Sequence, residues 1–187
     1  MKYYKLCRIT DRESHRMIVL PTQSEELDSY LCLNDTAECV GDTEPRRFEL
    51  PPADLLEFRA KGPQVEDLPM SFYSWILSDR LVQFIDRMQP GVLRRTPIRF
   101  DASTPERLKG DYWYAWCDLE IECHDQGVNE ISYIGDSLHV HNMVIDPSRV
   151  PKDVHFFRPR FQHRSIIISS KFIASAKREK LVGVRYY

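Results

Sequence analysis

Three groups of side chains have the types and spacing that chemistry needs. His139 and His141 stand two apart on an extended run, with Cys123 and His124 on a possible neighbouring strand, and same-face histidines can ligate zinc. Asp118, Glu120 and Glu122 alternate along another extended run, so three carboxylates share a face where they can exchange protons or hold Mg²⁺. Ser78 and the pair Ser169-Ser170 are hydroxyl nucleophiles in principle. Each group also has a plainer reading. The histidine row includes Met143 and Ile145, and local spacing fixes no third ligand. A half-exposed strand shows a row of acids because that face meets water. The serines lie in no Gly-x-Ser-x-Gly elbow and stand where helix caps stand. The seven glycines include no Gly-x-Gly pair, so there is no phosphate-cradling loop. No catalytic residue, metal ligand or cofactor is assigned, and the chain is read as a non-enzyme.

The elements that would position these groups follow from periodicity. Residues 112–124, YWYAWCDLEIECH, alternate over their whole length and predict a long half-buried strand, with SLHVHNMVID as its neighbour, ended by Asp146-Pro147. YYKLCRIT and RMIVLP flank the polar turn DRESH and predict a hairpin closed by Pro21. PADLLEFRA reads as a brief helix stopped by Gly62-Pro63, and QVEDLP as a linker. Between the hairpin and PADLLEFRA, residues 25–44 hold seven acids (Glu25, Glu26, Asp28, Asp35, Glu38, Asp42, Glu44) and no Lys or Arg. Leu27, Tyr30 and Leu31 give the start of this run helical spacing behind Ser24 as a cap.

One pattern occurs twice. SWILSDRLVQFIDRMQPGVLRRTPIRF, from Ser74, and SIIISSKFIASAKREKLVGVRYY, from Ser165, each read as an apolar strand, a serine-capped amphipathic helix and a second strand. Ser169 aligns with Ser78, Phe172-Ile173 with Leu81-Val82, and Val184-Arg185-Tyr186 with Ile98-Arg99-Phe100, which leaves the first copy five residues longer before its closing strand. The expected fold is α+β: a mixed, mostly antiparallel sheet with short helices, containing two similar strand–helix–strand units. One compact domain over 1–187 is expected, with an acidic segment at 1–69 and repeat units at 70–100 and 164–187 around central strands in 112–145.

Composition narrows the function. A net charge of -2 gives no global attraction to nucleic acid or an anionic membrane. The five cysteines form no Cys-x-x-Cys pair, which points to a reducing cytoplasm, and neither a secretory signal nor a run of about 18 apolar residues is present. From Arg149 onward ten Lys or Arg face only Asp153 and Glu179, with Phe156, Phe157 and Phe161 interleaved. That patch supports the alternative of a nucleic-acid-binding regulator; its plainer reading is pairing with the acidic first quarter.

The C-terminal third also carries a recognisable pattern. VIDPSRVPKDVHFFRPR followed by IIISSKFIASAKREKLVGVRYY resembles the signature of a bacterial immunity-protein family of polymorphic toxin systems, first catalogued as a domain of unknown function. Asp146, Pro147, Val150, Pro151, Phe157, Arg158, Ser169, Gly183, Val184 and Tyr186 carry the resemblance, which covers roughly Phe72 to Tyr187; Ser170 departs from it, where members often have an acid. The resemblance implies a cytoplasmic antidote without catalysis, encoded beside a toxin that it binds, and a nuclease as that toxin. An inhibitor of a nuclease gains association rate from an acidic surface that imitates a phosphate backbone. Glu25, Glu26, Asp28, Asp35, Glu38, Asp42 and Glu44, with Tyr30 as aromatic anchor, are therefore the expected toxin contacts. A homodimer is compatible with the sequence, and a membrane partner is not expected.

Overall fold

The computed structural model describes residues 1–7, 16–22, 25–27, 49–69, 71, 75–125, 127, 130–134, 137–141, 144–160 and 165–187. The first strand–helix–strand unit comprises β4 (Trp75–Ser78), α1 (Asp79–Met88) and β5 (Leu93–Pro97). The second comprises β12 (Ile167–Ser169), α2 (Ser170–Arg178) and β13 (Arg185–Tyr186). Each helix starts where its serine predicts: Ser78 Oγ accepts the Leu81 N–H at 3.1 Å, and Ser169 Oγ accepts the Phe172 N–H at 3.1 Å. The buried faces fall at the same offsets from the two serines, Leu81, Val82, Phe84 and Ile85 in one helix and Phe172, Ile173, Ser175 and Ala176 in the other. Phe84 meets Phe172 edge-on at 4.9 Å, within one apolar cluster that both units share.

In each unit a third strand lies antiparallel between the two outer ones. β7 (Tyr112–Cys117) separates β4 from β5, and β1 (Tyr3–Cys7) separates β12 from β13. Ser78 is opposite Tyr112 and Ser169 opposite Tyr3; four residues further along the middle strand, Trp116 is opposite Arg94 and Cys7 opposite Arg185. Arg94 and Arg185 therefore each lie 16 positions after their serine. The closing strand of the first unit is Leu93–Pro97, not the 98–100 stretch the sequence alignment selects, and the five-residue insertion disappears. Ile98 is instead buried against other strands, and β6 (Arg99–Phe100) belongs to another sheet.

That other sheet is β2 (Ile18–Pro21), β3 (Glu57–Lys61) and β6, with β3 and β6 parallel. Among the described residues the two segments of the expected hairpin do not pair with each other: β1 pairs with β12 and β13, β2 with β3. The two segments serve different cores, since Leu6 packs among the helices while Met17 and Val19 pack against Leu56 and Phe58. The expected helix over PADLLEFRA is a single 3-10 turn, Ala53–Leu55, followed by a strand in which Phe58 and Ala60 alternate inward. The long strand over 112–124 is broken into β7 and β8 (Glu120–Ile121), and the β7 part is covered on both faces. Ala115 and Cys117 join the helical cluster; Tyr112, Tyr114 and Trp116 join Val19, Phe58 and Ile98. SLHVH forms β10 (Ser137–His141), which pairs with β9 (Glu130–Ile134); among the described residues the stretch 137–146 meets 112–124 at the bridge of His124 with Ile145. β11 (Phe156–Pro159) completes the five-stranded order β13-β1-β12-β11-β8, parallel to β8 and otherwise antiparallel. The fold is α+β with mostly antiparallel sheets.

The segment read as a linker is the junction of the two units. Asp67 Oδ1 accepts from the Ser78 hydroxyl at 2.7 Å and Asp67 Oδ2 from the Val182 N–H at 2.8 Å, so one carboxylate holds the cap of the first unit and the turn of the second. Glu66 is buried against Arg16 at 2.9 Å, and the same guanidinium donates to the carbonyls of Leu68 and Gly183. Gly183 has φ 86, and a Cβ there would lie 2.4 Å from the Leu68 carbonyl oxygen. Tyr112 donates its hydroxyl to the Glu66 carbonyl at 2.7 Å; burial, with Asp67 and Glu66 nearby, raises its pKa and keeps it a donor.

Candidate functional site

The three carboxylates that spacing offers for acid–base work are each matched by an arginine. Arg94 of β5 reaches Asp118 at 2.5 Å, Arg158 of β11 reaches Glu120 at 3.6 Å, and Arg160 reaches Glu122 at 2.9 Å, with Arg149 at 3.9 Å on its far side. The parallel pairing of β11 with β8 sets Arg158 opposite Glu120, which brings the basic segment onto the acidic one. Ion pairing of this kind spends the acceptor capacity of the carboxylates on the fold. The basic C-terminal residues thus pair with strand acids at 118–122, and not, among the described residues, with the acidic first quarter.

Arg158 is the innermost of these cations. It is buried, donates to the Cys117 carbonyl at 2.5 Å and lies over the Trp116 ring at 4.4 Å. Such a side chain is not offered to a phosphate backbone. Phe156 and Phe157 are buried in the apolar clusters, so they provide no surface on which bases could stack, and Arg164 and Phe161 lie outside the described residues.

The histidine candidates are dispersed. The backbone sets His139 opposite Ser132 and His141 opposite Glu130, while His124 and Cys123 are buried beside Ile145. Among the described residues no group of three or more His, Cys, Asp or Glu is arranged to hold a metal. Burial raises the Cys123 thiol to about 11 and the Cys117 thiol to about 12, so both are protonated hydrophobes at neutral pH.

Of the expected toxin contacts, Glu25 and Glu26 are exposed on a helical turn whose next residue, Leu27, is fully buried with Met17, Leu56 and Phe58. Leu27 anchors that turn and turns the two acids outward. Asp28, Tyr30, Asp35, Glu38, Asp42 and Glu44, and the Ser24 cap, lie outside the described residues.

A cluster that the sequence did not single out forms where α1 meets the C-terminal end of α2. Arg80 donates to the Glu179 carbonyl, and Arg87, two turns on, reaches the Glu179 carboxylate at 2.6 Å. Lys177, Arg178 and Lys180 flank the same glutamate in sequence. In the sequence Lys177, Arg178 and Lys180 count among the ten basic residues from Arg149 onward, but nothing ties Arg80 and Arg87 to them.

Five of the residues that carry the family resemblance have structural roles. Asp146 caps the 3-10 turn Pro147–Arg149 through the Ser148 N–H, Val150 and Phe157 fill a core cluster, Ser169 caps α2, and Gly183 makes the close approach to Leu68. The sequence matches the model of the Imm11 immunity protein family over residues 6–187, and the chain belongs to that family. A comparison with curated proteins finds no match. Among the described residues no helix is long and apolar enough to cross a membrane.

Proposed function

We propose that this immunity protein neutralises a cognate bacterial toxin, a nuclease, by direct stoichiometric binding in the cytoplasm and without catalysis of its own. Membership of the Imm11 immunity protein family over nearly the whole chain carries the reading. The pairing of Asp118, Glu120 and Glu122 with arginines agrees with it, since it leaves that row as architecture. The proposed contact is the acidic run: Glu25 and Glu26, exposed over the buried Leu27, continue into Asp28, Tyr30, Asp35, Glu38, Asp42 and Glu44. A nuclease cleft must attract phosphate, and an acidic segment is steered into it.

Co-expression with the product of the adjacent gene tests the reading. Cells are expected to survive and the purified pair to comigrate; survival without a detectable complex would rule out stoichiometric binding. Charge reversal at Glu25, Glu26 and Asp28 is expected to slow association at low salt and to flatten its salt dependence, with the fold intact. Unchanged association kinetics would remove the acidic run from the interface.

A further inference from the structure

We infer that the surface where α1 meets the C-terminal end of α2 is a second docking site, for an acidic surface on the partner protein. Arg80 and Arg87 reach Glu179 from α1, and Lys177, Arg178 and Lys180 are exposed beside it along the chain, which makes five cations at this end of α2. Arg80 also approaches Asp67 at 3.4 Å, but that carboxylate is buried and already serves Ser78 and Val182. Arg80 and Arg87 keep more than half of their side-chain surface in water, at 53% and 57%. Among the described residues Arg178 and Lys180 have no acidic partner. Helix ends favour cations, but that preference is local to the last turn of α2 and does not account for two arginines arriving from α1.

Lys180 supplies an independent sign. Its φ is 54, the left-handed region where a side chain is strained and glycine is favoured. Stability alone asks for glycine after this helix; the chain keeps a charge there instead. Next to it Val182 is exposed, and its carbonyl accepts from the Asp67 and Leu68 N–H groups, so the segment following the exposed Val65 runs alongside. Apolar side chains bordered by charges have the composition of a protein interface.

The charge selects the partner's chemistry. Of the described aromatic rings of the basic third, Phe156, Phe157 and Phe172 are core, Tyr186 lies half-buried under Lys177 at 5.6 Å, and Tyr187 is exposed. The exposed Val182 and Val65 at the border of the cluster favour a carboxylate-bearing protein surface, presenting several acids to one face, over a phosphate backbone. The inference rests on the toxin-binding reading for the identity of the partner. With Glu25 and Glu26 as the other contact, it gives the partner one basic and one acidic surface to match, which fixes its orientation.

The test compares wild type, Arg178→Glu/Lys180→Glu and Lys180→Gly, the last of which removes a charge while relieving the backbone. Binding of a fluorescent polyglutamate peptide at low salt is measured beside a single-stranded oligonucleotide of equal charge. The double reversal is expected to weaken peptide binding at least about tenfold, an effect that fades in high salt. Lys180→Gly is expected to weaken it less while raising Tm, a combination that a merely structural lysine would not produce. No peptide binding by wild type, unchanged binding by both variants, or preference for the oligonucleotide would each overturn the inference. Cell protection is scored separately. If wild type protects and both variants protect equally at limiting expression, the docking site fails and the immunity reading stands. If wild type itself does not protect, the immunity reading fails, and the peptide measurement still decides the surface.

Discussion

The two strand–helix–strand units meet the same backbone problem and support its solution differently. Each ends an inward strand on a serine whose Oγ caps the helix, yet Ser78 gives its hydroxyl to the carboxylate of Asp67, and Ser169 lies 3.1 Å from Nδ1 of His155. The first cap is tied to the junction with the second unit. The second is tied to the strand beside it, since His155 immediately precedes β11. The turns differ as well: Gly91 has φ 74 and open space around it, whereas Gly183 has φ 86 against the Leu68 carbonyl. What recurs is the local device, and what differs is the part that reaches across the fold. We propose an internal duplication as the origin of the two units.

The largest way to break the comparison is at the junction. Arg16→Ala leaves Glu66 buried without its cation and removes the donor to the Leu68 and Gly183 carbonyls, and the expected cost is about 3–5 kcal/mol in denaturant unfolding. A cost below about 1 kcal/mol would show that the two units hold together without this tie.

The glycines come next. Gly91→Ala is expected to cost about 1 kcal/mol, the strain of a left-handed alanine alone. Gly183→Ala adds a Cβ that would sit 2.4 Å from a backbone oxygen, so its loss in Tm is expected to be at least twice as large. Equal losses would mean that the junction yields to accommodate a side chain.

These contrasts mark what the sequence can carry. Caps and helix faces were legible because a serine, its partner N–H and the apolar stripe lie within one or two turns of chain. The pairing of β1 with the C-terminal strands was not, because nothing near Tyr3 specifies Ser169 as its partner. QVEDLP reads as a linker for the same reason: two acids beside a proline look solvated until Arg16 and Ser78 are brought to them. The strand 93–97 was passed over because LRRTP shows no apolar alternation, its two arginines being taken up by Asp118 and Asp86. The acid row was legible as a row, but its role depended on arginines 24 residues before Asp118 and 38 residues beyond Glu120 and Glu122. For the proposed site, the helix turn carrying Glu25 and Glu26 was readable from its acids and Leu27, while the cationic cluster needed two helices to be placed together.

pH separates the two caps. Burial lowers the pKa of His155, helped by the charge of Lys171 and opposed by Asp153, so the folded chain takes up this proton only below the ordinary value of 6.5. The unfolded chain takes it up near 6.5. Between the two values the unfolded state binds more protons, so stability falls as pH drops through 6.5 and levels off below the folded value. The slope contributed by one proton is at most about 1.4 kcal/mol per pH unit. Wild type minus His155→Phe, compared by urea unfolding across this window, is expected to show that loss; identical profiles would sink the assignment.

The smallest expected effects are at the serines themselves. Ser78→Ala and Ser169→Ala each remove one cap, at about 1 kcal/mol. In the first, Asp67 loses the hydroxyl but keeps the Val182 N–H and Arg80 on its other oxygen, so the carboxylate stays compensated. In the second, Nδ1 of His155 loses the hydroxyl while the ring stays buried, so the loss is expected to be slightly the larger of the two and to change with pH as His155 titrates. Both side chains are buried, so neither substitution is expected to alter toxin affinity once the fraction folded is accounted for. A fall in affinity at unchanged stability would move that serine from the scaffold to the interface, and with it the proposal that the two units are scaffold first.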